Sequence, residues 1–180
     1  MVKMDTITLG AGCFWCIEAV FIRVNGVEEV RVGFSGGHVI DPSYKEVCQK
    51  STGHAEVIQL DFDPEIVSVH EILEMFWSIH DPTTLNRQGN DIGPHYRSAV
   101  FYHNEEQKKV AEEYKDQLEC SGVLNAPIVT EITEYTNFYP AGDQHTDYYK
   151  QNGNEPYCQF VIRPKIEKFE QNYSLKLRED

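Results

Sequence analysis

The sequence predicts an α+β fold: one domain over residues 1–180, in which a mixed β-sheet carries helices packed on it as a two-layer sandwich. Three observations predict it. Strand-type and helix-type hydrophobic periods are interspersed, but not in the clean alternation of a βαβ series. No internal repeat and no Pro/Gly/Ser-rich linker divides the chain. Finally, 180 residues with 41% hydrophobic and 25% charged content suffice for one core. At this size roughly two thirds of the unfolded surface is buried, so no disulfide staples are needed.

The elements follow in order. Thr6–Leu9 reads as a short strand with Ile7 and Leu9 on one face, running into the flexible turn Gly10-Ala11-Gly12. A helix begins at Cys13 and carries Phe14, Ile17, Val20 and Phe21, and Asn25-Gly26 ends it. Val27–Phe34 is a strand closed by Gly36-Gly37. In Val57–Phe62, Ile58, Leu60 and Phe62 alternate with Gln59 and Asp61, which predicts a half-buried strand. Ser68 and Glu71 form a capping box. Behind it Val69, Ile72, Leu73, Phe76 and Trp77 make an amphipathic helix that stops before Asp81-Pro82. Arg97–His103 is a strand. Asn104 with Gln107 caps a charged surface helix striped by Val110, Ala111, Tyr114 and Leu118. Ile128–Thr133 is a further strand, Tyr135–Glu155 a long ordered loop, and Pro164–Phe169 the start of a last short helix. Gln159–Ile162 reads as a strand, and the tail Leu175–Asp180 is expected to fray.

Charge and cysteine usage exclude several function classes. Sixteen Lys and Arg against 29 Asp and Glu leave a net charge of −13, which repels phosphate backbones and anionic lipid. Nucleic-acid and membrane-surface binding are therefore not expected. No apolar run approaches the ~20 residues of a membrane span, and Met1–Asp5 has no apolar core of a secretory signal. A cytoplasmic location and a monomer are the expectations. The five cysteines, Cys13, Cys16, Cys48, Cys120 and Cys158, cannot all pair. In a reducing compartment they are free thiols, metal ligands or redox-active groups.

Five features bear on chemistry. Cys13-Phe14-Trp15-Cys16 sits at a strand-to-helix turn, where the helix dipole and free N–H groups favour a thiolate. Phe14 and Trp15 offer an apolar wall beside it. The same residues also fit a buried thiol pair, half a zinc site or a thioredoxin-like motif, although no second C-x-x-C exists to complete a zinc site. Glu56 adjoins an apolar strand; desolvated there, it would be a proton donor, and solvated at the strand edge it would be inert. Asp91 and Tyr96 lie in a Gly-rich polar loop, which suits either a water-orienting site or ordinary turn chemistry. Tyr44 is one of ten tyrosines, each able to deliver a hydrogen bond from an apolar body. Cys158 follows a flexible Asn-Gly-Asn segment and could reach another thiol, or pack as a core cysteine. The seven histidines show no H-x-x-x-H or H-E-x-x-H spacing, so no metal centre is expected.

Taken together, these segments resemble one family. Gly12-Cys13-Phe14-Trp15-Cys16-Ile17-Glu18, Tyr44-Lys45-Glu46-Val47-Cys48, Thr52-Gly53-His54-Ala55-Glu56-Val57, His80-Asp81-Pro82-Thr83, Gln88-Gly89-Asn90-Asp91, Tyr96-Arg97-Ser98-Ala99 and Phe138-Tyr139-Pro140-Ala141 stand in the order of the peptide methionine sulfoxide reductase A family. Pro94 and His95 depart from the Thr-Gln type of residues common before Tyr96.

The resemblance implies reduction of the S epimer of methionine sulfoxide, free or in oxidised proteins, without a cofactor. It implies Cys13 as the nucleophile that becomes a sulfenic acid, Glu56 as proton donor, and Tyr44 and Tyr96 as hydrogen-bond donors to the sulfoxide oxygen. Asp91 is implied to hold a water or polar group, and Phe14 and Trp15 to form the cup for the S-methyl group. Cys158, or its rival Cys16, is implied to resolve the sulfenic acid, with thioredoxin as reductant. Cys48 and Cys120 are read as non-catalytic. A thiol–disulfide oxidoreductase built on Cys13 and Cys16 is the alternative.

Overall fold

The computed structural model describes residues 3–179. Its strands, in chain order, are β1 Asp5–Gly10, β2 Val27–Ser35, β3 Ala55–Phe62, β4 Arg87–Gln88, β5 Asp91–Ile92, β6 Ala99–Tyr102, β7 Glu131–Glu134 and β8 Tyr139–Pro140. Six of them form one sheet in the order β7-β6-β1-β3-β2-β8, and β4 and β5 form a separate ribbon. Every neighbouring pair in the sheet is antiparallel except β6 and β7. The sheet is therefore mixed, as predicted.

Its helices are α1 Phe14–Phe21, α2 Tyr44–Cys48, α3 Val69–Ser78, α4 Glu105–Cys120, α5 Tyr148–Gln151 and α6 Arg163–Asn172. The larger ones cover one face of the sheet. There Ile7, Leu9, Ile58, Leu60, Phe62 and Val100 share one apolar cluster with Phe14, Ile17 and Phe21 of α1 and Ile72 and Phe76 of α3. The register places Leu9 opposite Ile58 and Phe34 opposite Glu56. Because strand side chains alternate, Glu56 points to the same face as Ile58, Leu60 and Phe62. A carboxyl is thus built into the helix-covered side of the sheet.

Local sequence explains the helix starts. Ser68 accepts the Glu71 N–H while Glu71 accepts the Ser68 N–H, the predicted capping box. Asn104 accepts the Gln107 N–H at the head of α4. Ser43 and Glu46 make a second capping box at α2, which sequence analysis did not anticipate because five residues carry no readable period. Among the described residues no helix is long and apolar enough to cross a membrane.

Several expectations need correction. Strand β3 is not half-buried. Its second face packs Ala55 and Val57 with Ala99, Phe101, Tyr135 and Phe138, and Gln59 is buried with its amide donating to Thr8 Oγ1 (3.2 Å). The strand expected over Ile128–Thr133 starts only at Glu131. Before it, Ile128 and Val129 donate their N–H groups to Glu119 and to the Pro82 carbonyl, away from any strand partner. The Tyr135–Glu155 loop contains β8 and α5.

Gln159–Ile162 is not a strand either. Residues Cys158–Ile162 form a π-helical turn that runs straight into α6. A run of four mostly apolar residues fits both readings, and only packing on α1 decides between them. The start of the expected fraying tail is held: Asn25 donates to the Lys176 carbonyl (2.8 Å), Leu177 bridges to Val24, and Arg178 donates to the Arg23 carbonyl (2.9 Å). Asp180 lies outside the described residues.

Candidate active site

The turn from β1 into α1 presents Cys13. Gly12 has φ +89°, a left-handed conformation that glycine adopts without strain, and a Cβ there would come within 2.8 Å of Gln88. Cys13 is the N-cap of α1 (φ −62°, ψ 125°), so the helix proper begins at Phe14, one residue later than the sequence suggested. Its side chain therefore leaves the helix before the helical rise begins, next to the free N–H groups of the first turn.

Burial decides the behaviour of Cys13. Its residue is 8% exposed. Burial, the neighbouring Cys16 thiol and the Glu56 charge push its thiol well above the ordinary value, against a weaker pull from the Trp15 N–H. The helix N-terminus alone does not make a resting thiolate of Cys13, contrary to the expectation. Cys16 moves the other way, down to about 7, through interaction with Cys13, the charge of Lys165 and the Tyr157 hydroxyl. Two adjacent thiols titrate as a pair. The first proton leaves near neutrality, and the second is held tightly between the sulfurs.

Glu56 stands beside this pair. Only 1% of it is exposed, and its Oε1 accepts the Phe14 N–H (3.3 Å). Oε2 has no partner. Burial raises its pKa to about 8, helped by the charges of Asp91 and Cys16 and opposed by the Phe14 N–H. The carboxyl is thus neutral at pH 7 and turns one unpaired oxygen toward the site. The solvated strand-edge alternative is excluded.

Tyr44 at the head of α2 and Tyr96 at the end of the 3-10 turn Pro94–Tyr96 are both half-buried. Burial and the Glu56 charge push both phenols well above their ordinary value, so both are hydrogen-bond donors. Tyr44 also bonds the thiol of Cys48, which places that cysteine at the rim of the site rather than remote from it.

Phe14, Trp15 and Tyr44 line an aromatic cup. The Phe14 and Tyr44 rings lie 6.3 Å apart and nearly parallel (20°). His145 sits 4.5 Å from Tyr44, and Tyr148 stacks on Trp15 at 3.7 Å and 6°. Trp15 Nε1–H donates to His145 Nδ1 (3.2 Å), which assigns the imidazole proton to Nε2.

Asp91, carried on the β4–β5 ribbon, accepts the Tyr157 hydroxyl (2.8 Å), and that hydroxyl lies 3.6 Å from Cys16 Sγ. Asp91 therefore reaches the thiols through Tyr157. Cys158, the next residue, is fully buried at the start of the π-helical turn and is close enough to sense the Cys16 charge. All five cysteines are free thiols. Among the described residues no group of three His, Cys, Asp or Glu is placed to hold a metal ion.

Known proteins are similar to this chain in sequence and fold. The sequence profile named peptide methionine sulfoxide reductase matches residues 5–177. The chain belongs to the peptide methionine sulfoxide reductase family. It is 54% identical over 170 residues to the peptide methionine sulfoxide reductase MsrA of Sulfolobus acidocaldarius, covering 94% of this chain and 96% of that one. Among solved structures it resembles reduced Mxr1 from Saccharomyces cerevisiae, at 33% identity and a TM-score of 0.79 over 87% of this chain and 90% of that one. Mxr1 in complex with Trx2 also matches, at 26% identity and a TM-score of 0.56 over 81% and 85% of the two chains.

The structure brings Cys13, Phe14, Trp15, Tyr44, Glu56, Tyr96 and Asp91 together, with Cys16 one turn along α1 and Cys158 near it. Sequence analysis missed His145, Tyr148 and Tyr157. His145 and Tyr148 come from the segment read as loop, where no period marks which side chains fold back, and Tyr157 lies just beyond it, before Cys158. The parity of Glu56 with Ile58, Leu60 and Phe62 was the one sequence signal of its burial.

Proposed function

We propose that this chain, acting as one catalytic domain, reduces methionine sulfoxide to methionine with its own thiols and is recycled by thioredoxin. The observation that carries this reading is Glu56: a buried carboxyl, neutral to about pH 8, with an unpartnered oxygen beside a thiol pair. That arrangement suits protonation of an oxygen as it leaves sulfur.

In this reading Cys13 attacks as thiolate at the sulfoxide sulfur. Glu56 gives its proton to the oxygen, and Tyr44 and Tyr96 hydrogen-bond it while charge develops. The protonated oxygen passes from the methionine sulfur to the Cys13 sulfur as the bond between the two sulfurs breaks, so methionine leaves and Cys13 becomes a sulfenic acid. A second thiol then attacks the Cys13 sulfur, water departs, and a disulfide forms. The sum is one sulfoxide and two thiols giving one thioether, one disulfide and one water. Phe14 and Trp15 hold the methyl group. Exchanging methyl and oxygen at sulfur would place the oxygen against those rings, so the S epimer is the substrate.

Cys158 is the proposed resolving thiol. It borders Cys16 on a π-helical turn, a geometry that recurs at functional sites. Cys16 is a second reading, because Cys13 stands as N-cap outside the helix and the two sulfurs already interact. Thioredoxin as reductant draws on the likeness to the Mxr1–Trx2 complex. A reducing compartment such as the cytoplasm suits an enzyme that works through reduced thiols.

A single-turnover assay tests the function. Pre-reduced protein is mixed with S- or R-methionine sulfoxide without reductant. We expect about one methionine and two thiols lost per chain, for S only. No methionine from either epimer overturns the reading in favour of a thiol–disulfide oxidoreductase.

A further inference from the structure

Glu18 lies on α1, three residues after Trp15, so the two side chains share one side of the helix. Only 2% of Glu18 is exposed, and no reaction step above uses it. Its Oε1 accepts the Tyr148 N–H (3.3 Å), and the Asp147 N–H also bonds the carboxylate. The same Tyr148 stacks its ring flat on Trp15. One turn of α1 therefore grips one residue twice, by its ring and by its amide.

The other contacts of α5 are half-buried: Tyr148 and Tyr149 lie against the core from outside, Arg23 packs over the Tyr149 ring, and Gln151 donates to the Thr146 carbonyl. Helix α5 has four residues and none of them is buried, far too short to persist unaided. Its N-cap, Asp147, has φ +52°, a left-handed conformation uncommon for a side-chain-bearing residue though tolerated best by Asp and Asn.

We propose that Glu18 is a positioning residue of the substrate cup: by accepting the Asp147 and Tyr148 amides it locks α5 so that Tyr148 lies on Trp15 and the indole presents one fixed face to the substrate methyl group. The proposal rests on the methionine sulfoxide reading above. Burial pushes the Glu18 carboxyl up to about 7, opposed by the two amides. A buried carboxylate kept at such a cost is better explained by what it holds than by packing.

The test uses the full chain in a Trp77→Phe background, which leaves Trp15 as the reporter. Glu18→Gln, Tyr148→Ala and the double variant are compared. The carboxamide oxygen can accept, but its NH2 cannot, so one amide is released. We expect Glu18→Gln to raise KM for N-acetyl-S-methionine sulfoxide about tenfold while the single-turnover rate at saturation stays within about twofold. Acrylamide quenching of Trp15 rises toward that of Tyr148→Ala, and the double variant is no worse than Tyr148→Ala alone. Unchanged quenching in Glu18→Gln, or KM effects that multiply in the double variant, overturns the proposal. Should Glu18→Gln not fold, Glu18→Asp, which keeps the charge but falls short of the amides, carries the same expectations. A parent chain that makes no methionine sinks the functional reading instead, and the quenching arm still decides whether Glu18 sets the Trp15–Tyr148 stack.

Discussion

Glu56 shows how one buried carboxyl sets a pH window. The thiol pair loses its first proton at about 7, and Glu56 loses its proton at about 8. Reduction needs the pair to have lost one proton, with the charge on Cys13 and the remaining proton on Cys16, and Glu56 still protonated. The single-turnover rate is therefore expected to rise through about pH 7 and fall through about pH 8. Glu56→Gln keeps the shape and loses the proton, so the rate falls by about 10²- to 10⁴-fold and the alkaline limb disappears. Rapid-quench measurement of methionine across pH checks both; a variant that keeps the alkaline limb removes Glu56 from the role. Of these residues the sequence showed the types and their order. The shifted protonation was not legible, because it depends on what packs over each group.

At the scale of elements, the turn before α1 and the π-helical turn before α6 bring the thiols together. Cys16 sits at the third position of α1, fixed by the helix that holds Cys13 at its cap. Cys158 occupies a turn with i→i+5 bonding, where one extra residue loosens the helical ladder. If that turn opens to deliver Cys158, Cys158→Ser makes one methionine per chain but does not cycle with thioredoxin. Peptide mapping of the wild-type product would then show a Cys13–Cys158 disulfide. A Cys13–Cys16 disulfide with sustained cycling in Cys158→Ser would transfer the role to Cys16. The helices with long stripes or capping boxes, α3 and α4, were legible in sequence. The short α2 and α5 and the π-helical turn were not, because fewer than two turns leave no period to read.

Across the whole molecule, the active site lowers stability as pH rises. Glu56 ionises at about 8 in the folded chain, against 4.5 when exposed. Its pKa is raised by folding, so its stabilising contribution is complete below 4.5 and is lost as pH rises to about 8. The loss over that window is on the order of 5 kcal/mol. Glu18 adds to it with the same sign between 4.5 and about 7. Urea unfolding at about pH 5 and about pH 8 is expected to show the wild type losing stability with pH, and Glu56→Gln losing less by several kcal/mol. Equal losses in both would mean that Glu56 is not held neutral. With a net charge of −13, general repulsion acts in both proteins alike and cancels in that comparison.

The sequence by itself determined the fold class, the sheet-forming and core-forming segments, and the ordered motif set around Cys13, Tyr44, Glu56, Asp91 and Tyr96. Those properties follow from local periods, caps and residue types, which a chain carries wherever it folds. Only the tertiary structure decided that Glu56 is neutral, that Cys13 and Cys16 titrate as a pair, that Asp91 accepts the Tyr157 hydroxyl, and that Glu18 reaches across to Tyr148. Each of these depends on desolvation or on contacts between residues 42 to 141 positions apart. Charge energies are set by the surroundings that folding assembles.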